Sequence, residues 1–291
     1  MTTRCGIVAL AGLPNVGKST LLNAILGTPL SMVSPKAQAT RLPVTGIRTE
    51  AAAQFIFLDL PGLLEPTYLL QRSLRRLALE GVAQADVILH LHPAPDAPAP
   101  PLITLVPDLP TLRGKVVPVY TKGDLVTPES RHLLEAEGAV TDSGDAASIA
   151  ALLQRLEPLL PAGPFRHDPD DIGTQPVRFF VGEYLREGAF MVLDDELPYA
   201  FGAEVEEFRD DRSPVYIRAT VFVERESQKG IVIGHKGATL RQIGAHARSR
   251  LEALIGEPVY LETWVKVLPK WRRSPGALAR FGFPLPEAET S

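Results

Sequence analysis

The chain has 291 residues, of which 45% are hydrophobic and 22% charged, with one cysteine and a formal net charge of −4. That length suits two cores better than one, and the balance excludes wholesale disorder. Cys5 has no partner for an internal disulfide, so the fold stands without covalent staples, as cytosolic proteins usually do.

The first apolar run, Cys5-Gly6-Ile7-Val8-Ala9-Leu10-Ala11, superficially looks like a short signal peptide. It has no cleavage site and enters Gly12-Leu13-Pro14-Asn15-Val16-Gly17-Lys18-Ser19-Thr20 directly, so it reads as a buried strand, with Gly6–Ala11 as its extent. No stretch reaches the ~18 apolar residues of a spanning helix, and a cytoplasmic location is expected. The pattern G-x-x-x-x-G-K-[ST], set between this strand and a helix at Ser19–Leu26, lets the backbone curl until its N–H groups converge on phosphates at a helix N-terminus. Lys18 is expected to reach the β- and γ-phosphates and Ser19 to hold Mg²⁺, with Gly12, Asn15, Val16, Gly17 and Thr20 completing the cradle.

Further strands are predicted at Phe55–Asp59, Val87–Leu91 and Val116–Thr121, and a surface helix at Tyr68–Val82. The alternation over residues 1–165 predicts a doubly wound α/β sheet of the P-loop NTPase type, in its Ras-like form. From His92 to Pro110 the prolines remove backbone donors, and a polyproline-like surface loop is expected.

Two motifs close strands in this half. In Asp59-Leu60-Pro61-Gly62 the carboxylate can accept from a Mg²⁺-bound water and the Gly62 N–H can sense the γ-phosphate. In Thr121-Lys122-Gly123-Asp124 the Asp124 carboxylate can accept both N1–H and N2–H of guanine, a donor pair that adenine lacks. Either is weak alone; three motifs in order at strand ends point to GTP and GDP with Mg²⁺.

The Pro-, Gly- and Asp-rich stretch around 166–176 reads as a linker. Beyond it the pattern is helix (Val177–Phe190), strand (Tyr199–Phe208), strand (Val215–Val223), the loop Gly234-His235-Lys236-Gly237, helix (Ala238–Ile255) and strand (Val259–Val267). An α-β-β-α-α-β order with G-x-x-G joining the middle helices is what an α+β type II KH domain requires, here over 177–273, with 274–291 as a tail. Between Pro214 and Arg273 stand eleven Lys or Arg against five Glu, a net of +6 on an otherwise acidic chain. Backbone contact with nucleic acid is assigned to Gly234, His235, Lys236 and Gly237, with Lys229 beside them; the residues alone specify only single-stranded nucleic acid.

Taken together, Gly12–Thr20, Ser34–Arg41, Asp59–Gly62, Thr121–Asp124, Leu197–Ala200, Val223–Lys229, Ile231–Gly237 and Trp264–Val267 resemble the Era family of bacterial GTPases over nearly the whole length. The resemblance implies that Thr40 closes on Mg²⁺ when GTP is bound. It implies the 3′ end of 16S rRNA as target, action in assembly of the 30S ribosomal subunit, a monomer, and peripheral contact with the inner membrane, which nothing in this sequence independently supports. Lys18, Thr40 and Gly62 are expected to support the transition state.

Where Ras-like enzymes carry a water-orienting glutamine this chain has Leu63, so slow intrinsic turnover is expected and no catalytic base is named. Two further departures from the family pattern bear on the base end of the site. Thr121 replaces an asparagine, which predicts weaker nucleotide affinity, and the usual Ser-Ala segment is degenerate, with Thr141-Asp142-Ser143 as its counterpart and Ser143 the residue nearest the base. Two alternatives stay open: an RNA-binding module whose G domain binds GTP but hydrolyses it poorly, and a P-loop ATPase, which Asp124 disfavours.

Overall fold

Two sheets organise the chain. The computed structural model describes residues 2–109 and 111–285, and it divides into two units, Met1–Thr67 with Gln71–Thr174, and Tyr68–Leu70 with Gln175–Ser291.

In the first unit the elements run β1 (Arg4–Ala11), α1 (Lys18–Leu26), β2 (Val44–Thr49), β3 (Ala53–Asp59), α2 (Leu69–Gln84), β4 (Val87–Pro93), α3 (Leu102–Leu105), β5 (Lys115–Thr121), α4 (Pro128–Glu137), β6 (Ala139–Val140) and α5 (Ala146–Leu156). The strand order is β2-β3-β1-β4-β5-β6, with β2 antiparallel to β3 and every other pair parallel. All seven residues of β3 are buried, the continuous apolar pattern of a strand covered on both faces. The order of connection reverses at β1, so the loop leaving β1 opens into the crevice where doubly wound sheets bind ligands. The ends of β3 and β5 carry the other two motifs to the same edge.

The structure corrects the reading of residues 92–110. His92 and Pro93 finish β4, Ala94–Asp96 form a 3-10 turn and Leu102–Leu105 a short helix. Leu102 and Val106 are buried against Ala78 and Val82 of α2, so apolar burial overrides the prolines here. Strand β2 has no clear signature in the sequence, because Gly46 and Arg48 interrupt its apolar run; its pairing with β3, from Val44 opposite Asp59 to Thr49 opposite Gln54, holds it in place.

The segment read as a linker is held along the first unit. Fully buried Gln54 accepts from the backbone N–H groups of Arg166 (2.8 Å) and His167 (3.0 Å), and donates to the His167 carbonyl (2.9 Å). The Ile47 N–H donates to the Ile172 carbonyl at 3.0 Å, which uses the free edge of β2.

The second unit runs α6 (Val177–Val192), α7 (Leu197–Ala200), β7 (Gly202–Arg209), β8 (Val215–Val223), α8 (Glu226–Ile233), α9 (Ala238–Ile255), β9 (Val259–Val267) and α10 (Pro275–Arg280). Its sheet order is β7-β8-β9, antiparallel then parallel, as a type II KH domain requires. Ile243, Ala247 and Leu251 recur every fourth residue on α9 and are fully buried. Each Ile or Leu so buried contributes about 1.5–3 kcal/mol.

Two expectations change in this unit. Tyr199 and Ala200, read as the start of a strand, belong to α7, whose early Pro198 suits a helix start. Residues 275–280 of the expected tail form α10, capped by Ser274, because Leu278 and Phe283 are buried and Phe281 meets the buried Trp271 edge-on at 4.9 Å. Residues 286–291 of that tail lie outside the described residues.

Candidate nucleotide and nucleic-acid sites

The phosphate loop is fixed at both ends. Buried β1 delivers it, and α1 begins at Lys18 behind Gly17, whose left-handed φ of 95° turns the chain into the helix. Lys18 is buried, and its ammonium donates to the carbonyls of Leu13 (2.8 Å) and Gly12 (3.3 Å). Burial lowers its pKa to about 8, with Asp59 opposing the shift. Asn15, also left-handed, donates from its amide to the Pro35 carbonyl at 2.9 Å, tying the loop to the segment that leads to Thr40.

Three oxygen groups converge behind the loop. The Ser19 hydroxyl donates to Asp59 Oδ2 at 2.7 Å and lies 3.0 Å from the Thr40 hydroxyl, which donates to the same carboxylate oxygen at 3.4 Å. Asp59 is fully buried; desolvation raises its pKa, against hydrogen bonds from Ser19 and Thr40, the charge of Lys18 and the influence of the Ser31 hydroxyl. Its second oxygen, Oδ1, has no hydrogen-bond partner. Two hydroxyls and a carboxylate form a hard, all-oxygen donor set from three separate elements, which fits Mg²⁺.

A cleft of about 370 Å³ opens in front of this cluster. Of the residues singled out from sequence, Asn15, Gly17, Lys18, Ser19, Thr20, Thr40, Gly62 and Lys122 line it. Gly12 and Val16 shape the loop from behind. A side chain at Gly62 would stand 2.9 Å from the Pro14 nitrogen, so only glycine lets this strand end approach the phosphate loop so closely. The next residue, Leu63, donates its N–H to the Gly12 carbonyl at 3.0 Å and buries its side chain with Leu60 and Ala11. That side chain faces the core and has no part in orienting water.

At the base end, Thr121 is buried and its hydroxyl donates to the Val16 carbonyl at 2.6 Å, bracing the phosphate loop across the sheet. Lys122 takes a left-handed φ of 57°, and Gly123 donates to the Thr141 carbonyl at 2.9 Å, which brings the 141–143 segment beside the Thr121–Asp124 turn. Asp124 is exposed, and neither it nor Ser143 lines the cleft. Asp142 accepts from the Gly144 N–H at 2.8 Å and so caps its own turn.

The second glycine loop is built differently. Gly234 (φ 72°, ψ 177°) ends α8, His235–Gly237 form one 3-10 turn, and Gly237 (φ 78°) starts α9. His235 and Lys236 are exposed, and Lys236 is itself left-handed at φ 49°. Two helix ends and two unburied basic side chains therefore meet at one open turn, the geometry by which a KH loop presses on a nucleic-acid backbone. Lys229 lies one turn back on α8, half-buried.

Several contributors to the nucleotide cleft are not among the site residues singled out from sequence: Pro14, Met32, Val33, Gln38 and Ala39 line it, and Arg75 holds the chain beyond Gly62. Arg75 donates to the Leu64 carbonyl at 2.8 Å and pairs with Asp108, whose carboxyl that guanidinium holds below its usual range. The positive φ of Gln38 (59°) and the apolar exposure of Val33 are visible only in three dimensions.

A phosphate loop, a buried hydroxyl–carboxylate cluster and a KH fold in one chain define a two-unit GTP-binding protein of the nucleic-acid-associated class. Comparison with known proteins sharpens this. The family described as 50S ribosome-binding GTPase matches residues 7–109, and the KH domain family matches residues 196–272. GTPase Era of a Nocardioides species is 38% identical over 96% of both chains, and that of Geotalea daltonii 39% identical over 96% of this chain and 97% of its own. Among solved structures, an Aquifex aeolicus Era variant bound to GDP·AlF4⁻ superposes with a TM-score of 0.90 at 36% identity, covering 97% of this chain and all of that one. Era in complex with MgGDPNP and nucleotides 1506–1542 of 16S ribosomal RNA gives 0.88 at 36% identity, with the same coverage. The chain belongs to the Era family of GTPases. It is a GTP-binding enzyme that hydrolyses GTP with Mg²⁺. Among the described residues no helix is long and apolar enough to cross a membrane.

Proposed function

We propose that this chain couples GTP binding and hydrolysis in its first unit to recognition of the 3′ region of 16S rRNA by its second, and so acts in assembly of the 30S subunit. The observation that carries this is the pairing, in one chain, of the Ser19–Thr40–Asp59 cluster with the open Gly234–Gly237 turn inside the segment Pro214–Arg273, whose net charge is +6. The solved Era complex with 16S rRNA nucleotides, matched along 97% of this chain, supports the choice of target. In functional terms residues 1–165 handle nucleotide, 166–176 connect, 177–273 hold RNA, and 274–285 extend that unit.

When bound, Mg²⁺ would neutralise phosphate charge. Ser19, Thr40 and Asp59 would hold it. Lys18, already ringed by carbonyls, turns its ammonium to the phosphates, and Gly62 offers its N–H to the γ-phosphate. Asp124 reads guanine, with Ser143 assigned to the same end of the nucleotide. Since Leu63 faces the core, water is oriented by backbone or a bound partner, and unaided turnover is slow.

On this reading the protein is a cytoplasmic monomer, and the contact with the inner membrane that the family suggests is peripheral. The test is equilibrium binding of labelled GDP and a non-hydrolysable GTP analogue, competed with ATP, with and without a 16S 3′-end oligonucleotide. Guanine-selective binding that changes with RNA is expected; binding indifferent to RNA would reduce the first unit to a nucleotide-bound scaffold.

A further inference from the structure

Ser31 belongs to none of the sequence motifs, yet it is among the most constrained polar residues near the nucleotide. It lies between buried Leu30 and Met32, and is itself only 2% exposed. Asn23, four residues after Ser19 and so on the same face of α1, clamps its backbone from both sides: Asn23 Oδ1 accepts from the Ser31 N–H at 2.8 Å and Asn23 Nδ2 donates to the Ser31 carbonyl at 2.8 Å. The helix that begins at the phosphate loop therefore dictates where the Ser31 side chain goes.

The group it influences is Asp59. Ser31 Oγ and Asp59 Oδ1 are both buried, and neither makes a hydrogen bond. Ser31 is close enough to join Ser19 and Thr40 in favouring the ionised carboxylate. A buried hydroxyl and a buried carboxylate oxygen left unpaired are each costly, and a hydrogen bond between them would satisfy both. We propose that Ser31 is a positioning residue: its hydroxyl donates to Asp59 Oδ1 and fixes the carboxylate plane, so that Oδ2 faces Ser19, Thr40 and the magnesium site.

The division of labour follows from the chemistry. A carboxylate held at one oxygen only can rotate about its Cβ–Cγ bond; a donor on each oxygen removes that freedom before the metal arrives. Asn23 and Ser31 thus make the magnesium geometry a property of α1, the same helix that carries Lys18 and Ser19.

The inference rests on the assignment of Asp59 to the magnesium site, and the experiment separates the two. The rate of labelled GDP dissociation is followed in the full-length protein as Mg²⁺ is titrated, for wild type, Ser31→Ala and Asp59→Asn, with thermal melting as the check on folding. For Ser31→Ala the Mg²⁺ concentration giving half of the full slowing is expected to rise roughly tenfold, the loss of one hydrogen bond to a charged group, while the rate in EDTA stays at the wild-type value. Asp59→Asn is expected to abolish the slowing. An Asp59→Asn protein that keeps the wild-type magnesium response overturns the site assignment and the inference with it. A Ser31→Ala protein with the wild-type half-point, beside an unresponsive Asp59→Asn protein, overturns the role of Ser31 alone, as does a change confined to the EDTA rate.

Discussion

The two glycine loops solve related problems by opposite means. Both place glycines in left-handed conformations at a helix start, at Gly17 and at Gly237, where helix N-terminal amides favour an anion. The nucleotide loop is enclosed: Lys18 is buried, Thr121 braces Val16 from β5, and Gly62 presses on Pro14. The 234–237 loop is held by its own two helices and leaves His235 and Lys236 exposed. A loop that must hold phosphates in register and support chemistry is prearranged from several strands. A loop that grips a repeating backbone needs only correct curvature and exposed charge, so substitutions should act through different terms in the two places.

The largest effect is expected at the enclosed loop. Lys18→Ala removes a buried cation from a site meant for several negative charges, and guanine nucleotide affinity should fall on the order of 100-fold or more by equilibrium titration. Retained micromolar binding would contradict the enclosed-cradle picture. Next comes His235→Asp/Lys236→Asp on the open loop. Replacing two exposed basic groups should remove measurable affinity for a 16S 3′-end oligonucleotide, while GTP hydrolysis without RNA is unchanged. Milder single replacements, each removing one ionic interaction with a phosphate, should reduce the salt slope by about 0.7 apiece. Unaltered RNA binding by the double variant would withdraw the clamp assignment.

The two glycines of the open loop sharpen the comparison within a single turn. Gly234 has a backbone conformation reserved almost entirely for glycine, and an added Cβ would lie 2.2 Å from Thr239 Oγ1 and 2.9 Å from the Thr239 nitrogen. Gly237 is left-handed, but nothing lies within 4 Å of an added Cβ. Gly234→Ala should therefore cost about 2–4 kcal/mol in chemical denaturation and disrupt RNA binding with it, and Gly237→Ala only about 1 kcal/mol. Equal costs would mean that the curvature at Gly234 is relaxed more easily than its surroundings suggest.

What the sequence disclosed follows from the range of the interactions involved. The phosphate loop, Asp59–Gly62, Thr121–Asp124 and Gly234–Gly237 are legible because each needs particular residue types within four to nine positions, and strands such as Val215–Val223 because apolar residues crowd them. Strand β2 is held by pairing with β3, and α3 by apolar packing against α2; both are hidden behind glycine, proline or charge. Around α10, buried Leu278 and Phe283 stand too far apart to make an apolar run, and Phe281 meets Trp271 only once the chain folds back, so a helix looks like a tail. At the site, the reach of Arg75 to Asp108 depends on a chain crossing that no local pattern encodes, and that of Asn23 to Ser31 on a turn whose residues carry no motif.

The smallest effect tests the bracing half of the comparison. Thr121 occupies a position where an asparagine amide would both brace the phosphate loop and contact the base, and its hydroxyl already makes the brace, at 2.6 Å to Val16. Thr121→Val keeps the shape and removes only that donor, leaving a buried carbonyl without it. The expected loss is about 1 kcal/mol, near fivefold in affinity for GDP and GTP alike, with preference over ATP unchanged because Asp124 is untouched. Thr121→Asn should keep the brace and add the contact to guanine, so its affinity should exceed that of the natural residue. If both variants bind as the wild type does, the loop is held by its strands alone, and the enclosure that separates it from the 234–237 loop owes nothing to β5.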